Sequence, residues 1–230
     1  VKKDGFWYNM DASHIALLGL EFEANNFYDK ELDLEGVKQL ARFLARIVDA
    51  KSPFTFHHSD KVALLAKLLA KDCGLSEEDA ELLYVAGLLH DVGKLKTPDL
   101  LLHKEGKLTK EEYSIVKRHT VDTEHTLHSF FPKSVIGEWA SNHHERLDGS
   151  GYPFSKRQEQ LDLPSRILAV VDVFQSLTQK RPYRGSLALS DIFEIMQPMV
   201  DKWQLDADVY RVLLADIDNF YRLSTQEFQA

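Results

Sequence analysis

The chain has 230 residues, 44% of them hydrophobic and 28% charged, with a net charge of -8. That supplies apolar side chain for one substantial core and argues against a protein that coats nucleic acid by bulk electrostatics, so neither DNA nor RNA is an expected partner, although a local cluster of Lys, Arg and metal ions can still take a small phosphorylated ligand. No stretch approaches the roughly 20 uninterrupted apolar residues of a membrane span, and the opening Val1-Lys2-Lys3-Asp4-Gly5 has no signal-peptide pattern.

Helical periodicity runs through nearly the whole sequence and no segment alternates like a strand. The predicted class is all-α, a helical bundle at 51–230 behind a helical appendage at 1–50 that dimerises or relays a signal. The first thirty residues give only a faint helix pattern. Residues 34 to 50 place Val37, Leu40, Ala41, Leu44, Ile47 and Val48 on one stripe, ended by Ser52-Pro53. The next helix, 57 to 72, carries Val62, Leu65, Ala66, Leu69 and Ala70 and stops at Gly74. Cys73, the single cysteine, can form no internal disulfide, which points to a reducing, cytoplasmic setting.

Ser76 caps the following helix, with Glu77, Glu78 and Asp79 where a helix N-terminus favours acid. Its apolar run ends at His90-Asp91, and a loop of Lys, Pro and Gly follows. Thr109 to Glu112 reads as a capping box opening the helix that carries His119. Pro132 precedes a helix leading to Asn142-His143-His144-Glu145, and Asp148-Gly149-Ser150-Gly151-Tyr152-Pro153 is dense turn chemistry. The helix opened by Pro164 and running to about Lys180 is the most apolar, with Asp172 in its middle; two more, near 187–200 and 206–222, finish the chain. Phe6, Trp7, Phe27, Trp139 and Trp203 are read as core or inter-helix contacts.

Six of the ten histidines fall in pairs or beside an aspartate: His57-His58, His90-Asp91, His119 with Asp122, and His143-His144. Asp172 lies in a helix that is hydrophobic nearly all round, where an unpartnered carboxylate costs several kcal/mol. Taken singly, each of these residues is a satisfied core polar group. Taken together they are the imidazole and carboxylate set that suits iron, manganese, zinc or nickel. Adjacent ligands on a helix point about 100° apart and serve one metal only at a helix end or bend, which is where both pairs sit. Asp91 is placed to bridge two ions with His90 on one side, a binuclear hydrolase layout with hydroxide as nucleophile at neutral pH.

The ordered set His90-Asp91-Val92-Gly93-Lys94, Asn142-His143-His144-Glu145-Arg146, Asp148 to Pro153, Asp172 to Thr178 and Arg181-Pro182-Tyr183-Arg184 resembles the HD-GYP branch of the HD phosphohydrolases. The likeness extends from about Ser52 to about Leu214. It implies an HD-domain helical bundle and a phosphodiesterase that hydrolyses a cyclic dinucleotide, cyclic di-GMP first and cyclic GMP-AMP second, to the linear dinucleotide or mononucleotides. It implies one ion held by His58, His90, Asp91 and Asp172 and a second by Asp91, His119, His143 and His144, both divalent and iron or manganese by analogy, with zinc and nickel left open by ligand type. Lys94 then steadies the phosphate or the attacking hydroxide, Arg181 and Arg184 hold substrate phosphates, and Tyr152 is a substrate-binding residue on a loop that shapes the rim of the pocket or a partner surface. A diguanylate cyclase domain or other signalling partner and a homodimer are compatible with the same reading.

Two departures from the pattern stand out. Phe54 occupies the position where some members carry a third-metal glutamate, so two ions are expected. Gln175 and Ser176 replace an acid and a small apolar residue, read as a packing change. His57 competes with His58, and register with Val62 and Leu65 favours His58. His14, His103, His125 and His128 match no ligand position. The rivals are a silent signalling module that binds a cyclic dinucleotide or partner without cutting, and an HD hydrolase of another phosphoester.

Overall fold

The computed structural model describes residues 33–51, 57–179 and 185–226. The faint helix of the first thirty residues, His14, Phe6, Trp7, Phe27, the Ser52-Pro53 break, Phe54, Arg181 and Arg184 lie outside them. The chain divides into two compact units, residues 1–40 and 41–230.

In chain order the helices are α1 (Leu34–Lys51), α2 (His58–Asp72), α3 (Glu77–Leu89), α4 (Asp99–Leu102), α5 (Lys110–Lys117), α6 (His119–Phe130), α7 (Ile136–Ser141), α8 (Leu163–Thr178), α9 (Leu189–Asp201), α10 (Ala207–Ala215) and α11 (Ile217–Thr225). Short 3-10 turns lie at Val92–Lys96, Asn142–His144 and Gln158–Gln160. No strand occurs among the described residues; the nearest thing is one isolated antiparallel bridge between Asp148 and Arg157.

Local chemistry sets the boundaries. Gly74, at φ +82, ends α2 with Gly74 N donating to Lys71 O and Leu75 N to Ala70 O, the paired bonds that a left-handed residue allows after a helix. Ser76 accepts from Asp79 N at 3.0 Å to open α3. At α5 both bonds of the capping box form between Thr109 and Glu112. Asp162 accepts from Ser165 N to start α8, with proline in its first turn.

The centre of the second unit is α8 packed on α2, with α3 beside them. Ile167, Leu168, Val170, Val171 and Phe174 of α8 and Val62, Leu65, Ala66 and Leu69 of α2 have no exposed surface, each large one contributing about 1.5–3 kcal/mol. A Cβ on Gly87 would lie 2.8 Å from Ala63 Cα, so α2 and α3 meet there backbone to backbone. Phe174→Ala should destabilise the protein by about 3–5 kcal/mol, read as a lower midpoint in denaturant; an unchanged midpoint would place Phe174 outside the core.

Several expectations from the sequence need correction. The stripe on α1 is only partly covered: Ala41 and Val48 are buried, while Leu40 and Ile47 are each 41% exposed. The loop after His90-Asp91 is a 3-10 turn followed by α4. The helix expected from Thr109 through His119 breaks at Arg118, because His119 Nδ1 and Thr120 Oγ1 take the carbonyls of Val116 and Lys117 (2.7 and 3.0 Å). The last helix is two, since the chain turns at Asp216 (φ -130, ψ 38) and so buries both Leu213 and Phe220. Trp139 is buried as expected, but Trp203 is 64% exposed. It sits at φ +58 just after α9, where Trp203 N donates to Val200 O and Gln204 N to Met199 O, so it ends the helix in the role a glycine usually fills.

Candidate metal centre

The ends of five helical segments converge on one point. Asp49 of α1 accepts from Ser59 N (3.2 Å) and Ser59 Oγ (2.8 Å), which fixes the first turn of α2 where His57, itself in a left-handed conformation, offers no side-chain cap. His58 is thereby held with Nε2 3.3 Å from Asp172 Oδ1, at mid-α8. His57 points elsewhere, 3.6 Å from Asp60, so the geometry favours His58 as the register argument did. α3 ends one residue before His90, and Asp91 begins the 3-10 turn; His90 Nε2 lies 3.3 Å from Asp91 Oδ2 and 3.8 Å from Asp172 Oδ1. From the start of α6, His119 Nε2 reaches Asp91 Oδ1 at 3.3 Å. From the turn after α7, His143 Nε2 lies 3.8 Å from Asp91 Oδ1 and His144 Nδ1 3.8 Å from Asp172 Oδ2.

The imidazoles are oriented from behind. Nδ1 of His90 donates to Gly87 O (2.7 Å), that of His119 to Val116 O (2.7 Å) and that of His143 to Ala140 O (2.6 Å). A carbonyl can only accept, so each Nδ1 carries the hydrogen and each Nε2 is turned inward as a potential ligand. Each carbonyl lies three residues upstream, so the helix ends both place and orient the rings. His58 Nδ1 meets Gln179 Oε1 at 3.1 Å. The ligand atoms of His119, His143 and His144 lie within 4.8 Å of one another, as do those of His58, His90 and Asp172 and those of His90, Asp91 and His143.

Two buried atoms in the middle, His90 Nε2 and Asp91 Oδ1, have no hydrogen-bond partner. Unpartnered buried atoms inside a set of imidazoles and carboxylates suit a divalent transition metal, and these residues could hold one. The electrostatics agree. Burial alone would raise Asp91, but Lys94, His90 and His119 hold its carboxyl well below the usual range; for Asp172 burial is likewise outweighed by His58, His144 and His90. Burial pushes His143 down to about 3 and His144 well below its ordinary value, so both are neutral and ready to ligate at pH 7.

Lys94 Nζ lies 2.5 Å from Asp91 Oδ2. With His58, Asp91, His144, Arg146, Asp172, Val173, Ser176 and Gln179 it lines a cavity of about 270 Å³. Tyr152 N donates to His144 O (3.2 Å), and its ring lies 4.8 Å from that of His144, centroid to centroid. Thus His58, His90, Asp91, Lys94, His119, His143, His144, Tyr152 and Asp172 are brought together. Asp122 turns instead to Lys96 (3.5 Å) and Arg118 (3.6 Å). His103, His125 and His128 are exposed.

Sequence reasoning assigned no role at the site to five supporting residues. Gln179 and Asp49 lie far along the chain from the residues they position, and neither carries a motif signal. Glu145 was visible beside the histidines: its buried carboxylate accepts from Phe154 N (2.7 Å) and Lys156 N (3.0 Å), tying down the loop that carries Tyr152. Burial raises its pKa, against those same bonds. Gly151 packs so closely that a Cβ would lie 2.3 Å from Arg146 N, a spatial reason for glycine that a turn alone does not give. Arg146 stands in the cavity wall.

The fold and centre define an all-helical protein with clustered histidines and aspartates fit to hold metal. The chain belongs to the HD domain family, whose model matches residues 42–209, as the motif resemblance implied. It is similar to "3'3'-cGAMP-specific phosphodiesterase 1" of Vibrio cholerae, 46% identical over 227 residues, covering 99% of this chain and 53% of the relative. It is also similar to a "Cyclic di-GMP phosphodiesterase" of Thermotoga maritima, 32% identical over 213 residues, 90% of this chain and 57% of the relative. A crystal structure of a cyclic GMP-AMP specific phosphodiesterase from V. cholerae superposes with a TM-score of 0.52 at 30% identity, covering 81% of this chain and 42% of that one. The chain spans about half the length of these curated relatives. No helix among the described residues is long and apolar enough to cross a membrane.

Proposed function

We propose that the protein is a metal-dependent phosphodiesterase that hydrolyses a cyclic dinucleotide. The observation that carries this reading is the buried centre itself, with inward Nε2 atoms anchored through Nδ1 and buried His90 Nε2 and Asp91 Oδ1 left without a hydrogen-bond partner. His58, His90, Asp91 and Asp172 would hold one divalent ion and Asp91, His119, His143 and His144 a second, iron or manganese, with zinc and nickel compatible with the same ligand types. Bound there, such ions supply Lewis-acid polarisation of the phosphoryl oxygens and a hydroxide nucleophile at neutral pH.

The chain's own residues do the remaining work. Asp91 and Asp172 stay ionised in a buried place, Lys94 offsets charge growing on the phosphoryl oxygens, and Tyr152 walls the pocket beside His144. Arg181 and Arg184 hold substrate phosphates in this reading. The relative named for 3'3'-cGAMP supports that substrate ahead of cyclic di-GMP, reversing the order drawn from sequence alone.

The test is a product assay on metal-loaded protein offered both cyclic dinucleotides in parallel, with Asp91→Ala as control. Cleavage lost in the variant is the expected result. No cleavage of either substrate by protein shown to hold two metals would move the reading to a silent signalling module or another phosphoester.

Metal uptake near pH 7 is expected to release a proton. Burial disfavours the His90 cation, but Asp91 and Asp172 outweigh it and push the imidazole up to about 9, so the ion must displace that proton. Affinity should therefore rise with pH until about 9 is passed. Calorimetry in two buffers of different ionisation enthalpy reads the release, and identical heats in both would refute it.

A further inference from the structure

We propose that Arg146 binds a phosphate of the substrate, a role that rests on the phosphodiesterase reading. Arg146 follows His143-His144-Glu145 and lines the same cavity as His58, Asp91, Lys94, His144 and Asp172. Its Nη1 donates to His143 O at 3.3 Å and to Glu145 O at 2.8 Å, which fixes the plane of the guanidinium. Its Nε and Nη2 donate to no protein acceptor among the described residues, and no described carboxylate lies within ion-pair distance of it.

Lys94, the other cation lining the cavity, is already seated on Asp91. Arg146 is half-buried, and a cation withdrawn from water without a counter-ion is costly. An anion entering the cavity removes that cost, and the planar fork presents its remaining donors to a phosphate in a fixed arrangement. Of the two cations that line the cavity, then, Arg146 is the one without a carboxylate partner, while the charge of Lys94 is shared with Asp91.

The experiment measures binding of a bis-phosphorothioate cyclic dinucleotide, a slowly cleaved analogue, to the metal-loaded wild type, Arg146→Gln and Arg146→Lys. Metal content and Tm are recorded for each. Arg146→Gln should weaken binding roughly 10- to 100-fold at unchanged metal content, and Arg146→Lys, which keeps the charge but loses the fork, should fall between glutamine and wild type. Binding by Arg146→Gln within threefold of wild type overturns the proposal. So does a lysine variant no better than glutamine, since bracing two carbonyls would then be the whole role. If Arg146→Gln fails to fold, Arg146→Lys against wild type decides: KM raised at near-constant kcat is expected, and an unchanged KM overturns it. Should the wild type cleave neither cyclic dinucleotide, the functional reading falls, but inorganic phosphate still tests this residue. Millimolar phosphate is expected to raise the Tm of the wild type more than that of Arg146→Gln, and an equal rise overturns the assignment.

Discussion

Asp91→Ala is expected to reduce phosphodiester cleavage by more than the ~10²-fold that loss of a residue merely supporting a ligand costs, and to lower metal content as well. Asp91 lies within 3.8 Å of three imidazoles, those of His90, His119 and His143, and one of its oxygens is buried without a hydrogen-bond partner. On the proposed reading its removal would take a ligand from both groups of histidines, and it strips Lys94 of its acceptor. The helices should survive, because Asp91 makes no side-chain cap at the start of the 3-10 turn. The largest favourable influence on the His90 cation also goes with it, so the proton release on metal uptake should shrink in the same variant. Elemental analysis, circular dichroism and the product assay together read this out. A variant that keeps its metal and its rate would remove Asp91 from the centre.

Gly93→Ala is expected to cost about 3 kcal/mol, at the upper end of overpacking, which lowers Tm by roughly 6–12 °C in a chain of this size. A Cβ there would lie 2.0 Å from His119 O and 2.6 Å from Thr123 N. These are backbone atoms of α6 and cannot swing aside. Thr123 is the hinge of the contact: its Oγ1 accepts from Gly93 N at 2.9 Å and donates to His90 O at 3.1 Å. Making room for the methyl pushes the start of α6, and with it His119, away from Asp91. Metal should accordingly be lost first from the His119–His143–His144 group, while His58, His90 and Asp172 retain theirs. Differential scanning calorimetry with metal titration checks both halves; an alanine variant with wild-type Tm would mean the two segments are less tightly apposed than the structure places them.

The glycine of His90-Asp91-Val92-Gly93-Lys94 shows how differently the levels of description can be read. In the sequence it is part of a motif with no stated duty. In the fold it is the point where the turn after α3 meets α6, and its missing side chain sets the distance between Asp91 and His119. The helix ends were largely legible for a related reason. Gly74, Ser76, Thr109 and Pro164 act through bonds within a few residues, which local sequence records. The breaks at Arg118 and Asp216 were not, since apolar periodicity continues through both and the turns serve burial or side-chain bonds that require the folded chain.

By itself the sequence determined the all-helical class, the position of most helix boundaries and the ligand types of the centre. Period 3.6, capping chemistry and a carboxylate in an apolar helix are all properties of neighbouring residues. Only the tertiary structure decided that Asp122 turns away to Lys96 and Arg118, and that Asp49 and Gln179 stand behind His58 and its helix. Those choices depend on side chains brought together from segments up to 121 residues apart, and no local pattern encodes which face of α8 those segments will meet.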